Sequence, residues 1–202
     1  MPRMIRSART FCRQIIFASC LLTLALAVGG CGKSDGGGSM KVKSPATGDK
    51  DLLQKSGYAF VIIKTFTDTS GKITTASSYR VYAANYDLDA GNFAMTLDKP
   101  LSSDDQVRVV FSLVGEQGTN DKSPLMTGTY PAKAEKFMKV EDVTIVSRKG
   151  GTDYKNWLDR STLAGEARVS SFSGDSISGE VDLTSGAISI KGPFTAKVLM
   201  RK

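Results

Sequence analysis

From about residue 58 to the C-terminus, apolar positions recur with a period of two rather than 3.6. That is the spacing of strands that bury one face. Tyr58–Thr67 (YAFVIIKTFT) is apolar on both sides and reads as a central strand. Ser78–Tyr86 and Asn92–Leu97 flank Asp87-Leu88-Asp89-Ala90-Gly91, a turn signal, so together they read as a hairpin. Gln106–Val114 places Val107, Val109, Phe111 and Leu113 on one face. Leu125–Tyr130 is a short strand ended by Pro131, and Val140–Ser147 is another, closed by Lys149-Gly150-Gly151. The C-terminal quarter alternates most regularly. Gly165–Phe172 turns at Ser173-Gly174-Asp175 into Ser176–Leu183, where Ile177, Val181 and Leu183 oppose Ser178, Glu180 and Asp182. Thr184-Ser185-Gly186 then leads into Ala187–Lys191, and Phe194, Ala196, Val198 and Met200 alternate with Thr195, Lys197 and Arg201. Helical signals are confined to Ala132–Met138 and Asp153–Arg160, with Asp153 placed to cap the second.

Eight or nine short strands with frequent turns predict an all-β domain, an antiparallel β-sandwich, with a small lipocalin-like barrel as the alternative. The size suits a lipocalin-type barrel, but the Gly-x-Trp of that family near the first strand is missing, because the only Trp is Trp157.

The first thirty residues have a different pattern. Arg3, Arg6, Arg9 and Arg13 precede an apolar run, Ile15–Val28, with no acid among them. As a helix those fourteen residues would extend about 21 Å, short of a ~30 Å hydrocarbon core. A basic start, a short apolar run and small residues describe a cleaved secretory signal. The run ends Val28-Gly29-Gly30-Cys31, which resembles the lipobox of bacterial lipoproteins. That resemblance covers about the first thirty residues. It implies cleavage before Cys31, thioether attachment of diacylglycerol to Cys31 and acylation of the new amino group. Gly32, where an inner-membrane retention Asp would stand in enteric-type lipoproteins, implies the outer membrane. The expected organisation is a signal peptide over residues 1–30, a lipidated flexible tether over 31–50 rich in Gly, Ser, Lys and Asp, and one domain over 51–202.

Composition then narrows the chemistry. The chain has 202 residues, three Cys and no His. Cys12 and Cys20 fall in the signal, so Cys31 is left without an intramolecular disulfide partner, and lipidation accounts for it. Absence of His excludes Ser-His-Asp and Cys-His nucleophile pairs and His-ligated zinc. The net charge of +7, which by itself suggests a nucleic-acid partner, comes mostly from the N-terminus: 27 Lys and Arg stand against 20 acids. Removing the four signal Arg leaves 23 against 20, and removing the four Lys and two Asp of the tether leaves 19 against 18. The domain is close to neutral, and no nucleic-acid partner is expected.

Candidate sites are few. The segment Gly150–Arg160 gathers Asp153, Tyr154, Asn156 and Trp157. On a helical turn Tyr154 and Trp157, three apart, would share a face for stacking on a sugar or anchoring a protein, with Asp153 and Asn156 beside them. Asp87-x-Asp89-x-Gly91-Asn92 echoes a calcium loop, but the fifth and sixth positions are exchanged relative to that pattern, and a hairpin turn accounts for it. Ala27–Ser34 fits a loose phosphate-binding loop, yet the cleavage site cuts through it and no strand and helix flank it. Glu180 and Asp182 share a strand face about 6.5–7 Å apart, a spacing open to carboxylate hydrolysis, although outward charges are normal on an amphipathic strand. No metal ligands, cofactor motif or catalytic constellation stand out. The sequence therefore predicts an envelope-anchored, non-catalytic binding or accessory protein with an envelope protein or glycan as partner. A carrier of a small apolar ligand and a His-free carboxylate hydrolase are the alternatives.

Overall fold

Alternating side chains in nearly every segment drive the chain into strands, eleven of them among the described residues, 38–91 and 94–199 of the computed structural model. All belong to the unit Ser34–Lys202. The signal segment, the lipobox and Cys31 lie outside the described residues. In chain order the strands are β1 (Ser39–Ser44), β2 (Gly48–Leu53), β3 (Ser56–Thr67), β4 (Ile73–Ala84), β5 (Val107–Val114) and β6 (Gly128–Pro131). They continue with β7 (Lys139–Lys149), β8 (Thr152–Trp157), β9 (Ala164–Ser173), β10 (Ser176–Ser185) and β11 (Ile188–Leu199). A single helical turn, α1 (Ala94–Leu97), interrupts the series.

The strands form one mixed sheet in the order β6-β9-β10-β11-β3-β4-β5-β7-β8, with β1 added beside β11 and β2 beside β1. The two halves of this sheet enclose a shared core. Tyr130, Val169, Ile177, Leu183 and Phe194 come from one half, and Val81, Val109, Phe111, Leu113 and Ile145 from the other. Phe111 and Phe194 meet edge to face at 5.0 Å, and Tyr79 and Phe172 at 5.7 Å. The halves join at β11, whose one edge is shared by two strands. Residues 189–191 pair with β1, and residues 197–199 pair with β3 in parallel. Between them the side chain of Gln54 stands in for a strand, donating to the carbonyl of Thr195 and accepting from its N–H. Glycine is needed at this joint. A Cβ on Gly57 would lie 2.0 Å from the Thr195 carbonyl oxygen, and one on Gly192 would lie 2.7 Å from that of Ser39.

The fold is all-β and sandwich-like, as the alternation predicts, and the sheet is not closed into a barrel. Several details differ from expectation. The β11–β3 pair makes the sheet mixed rather than antiparallel. Part of the expected tether is a hairpin: Met40, Val42 and Leu52 point inward and are buried, with Met40 opposite Leu52. A two-residue alternation hidden in a Lys- and Gly-rich stretch outweighs its linker-like composition. Asn92–Leu97 does not return as a strand. Residues 94–97 form α1, while 92 and 93 lie outside the described residues. Neither expected helix forms, because residues 132–138 are turns and bends, and 152–157 are β8. Ala187–Lys191 and the following run are one strand, β11. No helix among the described residues is long and apolar enough to cross a membrane.

Candidate functional site

Directly opposed residues share a sheet face, so the strand registers set out ranks across the outward side of β3, β4, β5, β7 and β8. Tyr58, Tyr82, Val110, Thr144 and Trp157 form one rank. Phe60, Arg80, Ser112 and Glu141 form the next, and Ile62, Ser78, Val114 and Lys139 the third. The segment between β4 and β5 covers part of this face. Its Leu88 and Leu97 pack with Phe60, Tyr82, Ala84 and Val110 in a second apolar cluster. Two buried or half-buried arginines hold that segment down. Arg108 donates to the Lys99 carbonyl at 3.1 Å and the Tyr86 hydroxyl at 2.9 Å, and Arg148 donates to the Leu101 carbonyl at 2.5 Å.

Beside this cover lies a half-buried ion network. Glu141, 7% exposed, is held between the ammonium groups of Lys64 and Lys139, the latter at 2.9 Å. Asp142 binds Lys64 at 3.4 Å and Arg160. A β-bulge positions it. The pairing shifts between Val110 and Ser112, so Asp142 and Val143 together face Phe111, and Asp142 adopts φ 54°. Burial raises the Asp142 pKa, but the Arg160 hydrogen bond and the Lys64 charge outweigh it and hold the carboxyl below its ordinary 3.8. Burial, helped by the charges of Lys64 and Arg160, depresses the Lys139 ammonium. Two hydroxyls buried in the same face, Ser78 Oγ and Thr144 Oγ1, have no hydrogen-bond partner among the described residues. Opposite Thr144 stands Trp157, 59% exposed.

The residues singled out in the sequence divide between two faces. On a strand, positions three apart point to opposite sides, so Tyr154 and Trp157 do not form the shared platform that a helical turn would give. Trp157 belongs to the outward rank. Tyr154, 42% exposed, and Asn156 oppose Ser147 and Ile145 at the rim of the core. Asp153 has a structural job: one oxygen accepts from Arg148 at 2.8 Å and the other from the Leu101 N–H at 2.9 Å. Sequence reasoning missed Lys64, Lys139, Glu141, Asp142 and Arg160. The signal was present in Lys139-Val140-Glu141, where charges alternate with an inward Val on a strand.

Both acids of the calcium-like loop are engaged with cations. Asp87 pairs with Lys55 and Asp89 with Lys99, each at 2.7 Å, and no metal-holding cluster occurs among the described residues. Glu180 and Asp182 do share an outward face, lining an open cleft of about 430 Å³ with Glu166, Arg168 and Lys191. There Asp182 accepts from Lys191 at 2.5 Å, and Glu166 lies 3.7 Å from Arg168. The chain matches no family model, no characterised protein and no solved structure.

Proposed function

We propose that this chain is a bacterial envelope lipoprotein, held at the membrane through acyl chains on Cys31, and that its β domain is a non-catalytic binding module. The basic start, the short apolar run and Val28-Gly29-Gly30-Cys31 support the anchor, and Gly32 favours the outer membrane. Two or three acyl chains would hold the protein stably, at about 0.8 kcal/mol per buried CH₂.

One observation carries the binding reading: Trp157, the chain's only Trp, stands 59% exposed beside a network of carboxylates and cations. Indole faces stack on the apolar side of sugar rings, and carboxylates and guanidinium groups hydrogen-bond their hydroxyls. An envelope saccharide is therefore the partner this chemistry suits best. A core packed with aliphatic side chains and edge-to-face aromatic pairs favours a surface site over an interior apolar-ligand carrier. Ion pairing of Asp182 and Asp142 favours binding over carboxylate catalysis.

Membrane fractionation and mass spectrometry of wild type and Cys31→Ser test the anchor. Wild type is expected to carry acyl mass and sediment with membranes, and the variant to lose both. Identical mass shift and fractionation would overturn it. Pull-down from envelope extracts tests the module, with capture of saccharide by wild type and not by Trp157→Ala expected. Capture unaffected by that substitution contradicts the Trp157 site.

A further inference from the structure

The outward faces of the two halves carry their charge differently. Across β1, β2, β9, β10 and β11 the registers turn Lys41, Lys43, Arg168, Lys191 and Lys197 outward beside five acids of β2, β9 and β10. That face is balanced, and Lys43–Asp49, Arg168–Glu166 and Lys191–Asp182 are ion pairs on it.

The face of β3, β4, β5, β7 and β8 divides in two. Beneath the segment between β4 and β5, Arg108 and Arg148 meet Asp98, Asp104 and Asp153, and Arg80 reaches Asp98 through the Tyr82 hydroxyl. Three cations there face three acids. At the Trp157 end the balance fails. Lys64, Lys139, Lys155 and Arg160 stand against Glu141 and Asp142 alone, four against two. Each of those carboxylates is already shared between two cations, and none of the ion pairs at this end includes Lys155.

The unmatched cations flank the indole. Lys155 is exposed and lies two positions before Trp157 on the same face of β8, about 6.5–7 Å away. Arg160 follows Trp157 by three positions, within about 10 Å along the chain, and its side chain is 68% exposed. One of its nitrogens, Nη2, binds Asp142, which leaves further N–H donors of the guanidinium for an outside acceptor. The excess also reaches into the network. Charges of Lys64 and Arg160 add to burial in depressing the Lys139 ammonium, and Asp142 only opposes them. Half-buried charges are screened less by salt than fully exposed ones, so an anion seated here meets a persistent positive field.

We infer that the saccharide held at Trp157 is acidic, with a carboxylate or phosphate group beside the ring that stacks on the indole. This rests on the saccharide role proposed above for the same site and narrows its ligand class. Trp157 takes the apolar side of the ring. Arg160 donates charge-assisted hydrogen bonds to the anionic oxygens, and Lys155 supplies the second positive charge from the other side.

The full chain, purified in mild detergent, tests this through Trp157 emission and calorimetry. The probes are two fractions of envelope saccharide, one that passes an anion exchanger and one that it retains. Half-saturation by the retained fraction is expected at a concentration about tenfold lower or more. That gap should narrow as salt rises from about 20 mM to about 200 mM. Lys155→Gln, which breaks no ion pair, and Arg160→Gln, with circular dichroism as its folding control, should each weaken binding of the acidic fraction about fivefold. Both should leave binding of the neutral fraction unchanged. Chemical reduction of carboxyl groups and phosphatase treatment of the retained fraction then assign the anion to carboxylate or phosphate, by which treatment abolishes the preference. Equal affinity for the two fractions overturns the inference while leaving the saccharide role intact, as does a preference that survives both substitutions. Binding of neither fraction overturns both.

Discussion

Two strands of the same sheet, β10 and β5, bury their side chains in different ways. Along the last six residues of β10, Glu180, Asp182 and Thr184 are exposed and Val181, Leu183 and Ser185 are buried. Every residue of β5 is buried, although Arg108 and Ser112 lie on its outward side. The inward faces are equivalent, with Ile177, Val181 and Leu183 on one and Val109, Phe111 and Leu113 on the other sharing a core. The difference lies in what covers the outward face. Water solvates that of β10. That of β5 sits beneath the segment clamped by Arg108 and Arg148 and beside the Glu141 network. Polar groups removed from water need dedicated partners, so the outward face of β5 depends on specific bonds in a way that of β10 does not.

The inward faces should respond alike and most strongly. Phe111→Ala and Phe194→Ala should each cost about 3–5 kcal/mol, by lost transfer energy and cavity formation, read from urea unfolding. A loss below about 1 kcal/mol at either would mean that the halves do not share one core.

The outward faces should then separate. Glu141→Ala leaves Lys139 half-buried without its carboxylate and Lys64 with Asp142 alone, and should cost about 2–3 kcal/mol, below the full range for a buried pair because both ammonium groups reach water. Asp182→Ala, on the solvated face, should leave the urea midpoint within error of wild type. Equal effects would erase the distinction.

Acid should act on the same side. The Asp142 carboxyl is held below its ordinary 3.8 in the folded protein, so its contribution is complete above that value and is lost as pH falls through the lower folded value. Urea midpoints of wild type should drop between about pH 5 and about pH 3 more steeply than those of Asp142→Asn. Matching slopes would separate Asp142 from the network. The smallest stability effect is expected at Trp157. Trp157→Ala should stay within about 0.5 kcal/mol of wild type while losing partner binding.

Periodicity makes much of this fold legible in the sequence. Ser176–Leu183 and its neighbours read correctly because one face meets water and the alternation is therefore visible in the residues themselves. Asp153–Trp157 misled, because Asp caps helices and the Tyr-Trp spacing suits a helical turn, whereas pairing of this segment to β7 was a non-local event. Met40, Val42 and Leu52 were masked by Gly and Lys around them. Of the candidate site, Trp157 was visible as a rare exposed-type residue. Its surroundings were not, since Lys64, Glu141 and Asp142 are 77 or more positions apart in the chain for the nearest cross-pair and meet only through the sheet.

The role proposed for the outward face at Trp157 is to bind an envelope saccharide. Because Trp157 is the only Trp in the chain, its fluorescence reports that face without labelling. Titration of the protein with purified envelope saccharides should give a saturable change in emission, weakened by Arg160→Ala and unchanged by Asp182→Ala. Saccharide binding detected by calorimetry with no change in Trp157 emission, or no saturable binding at all, would contradict the account.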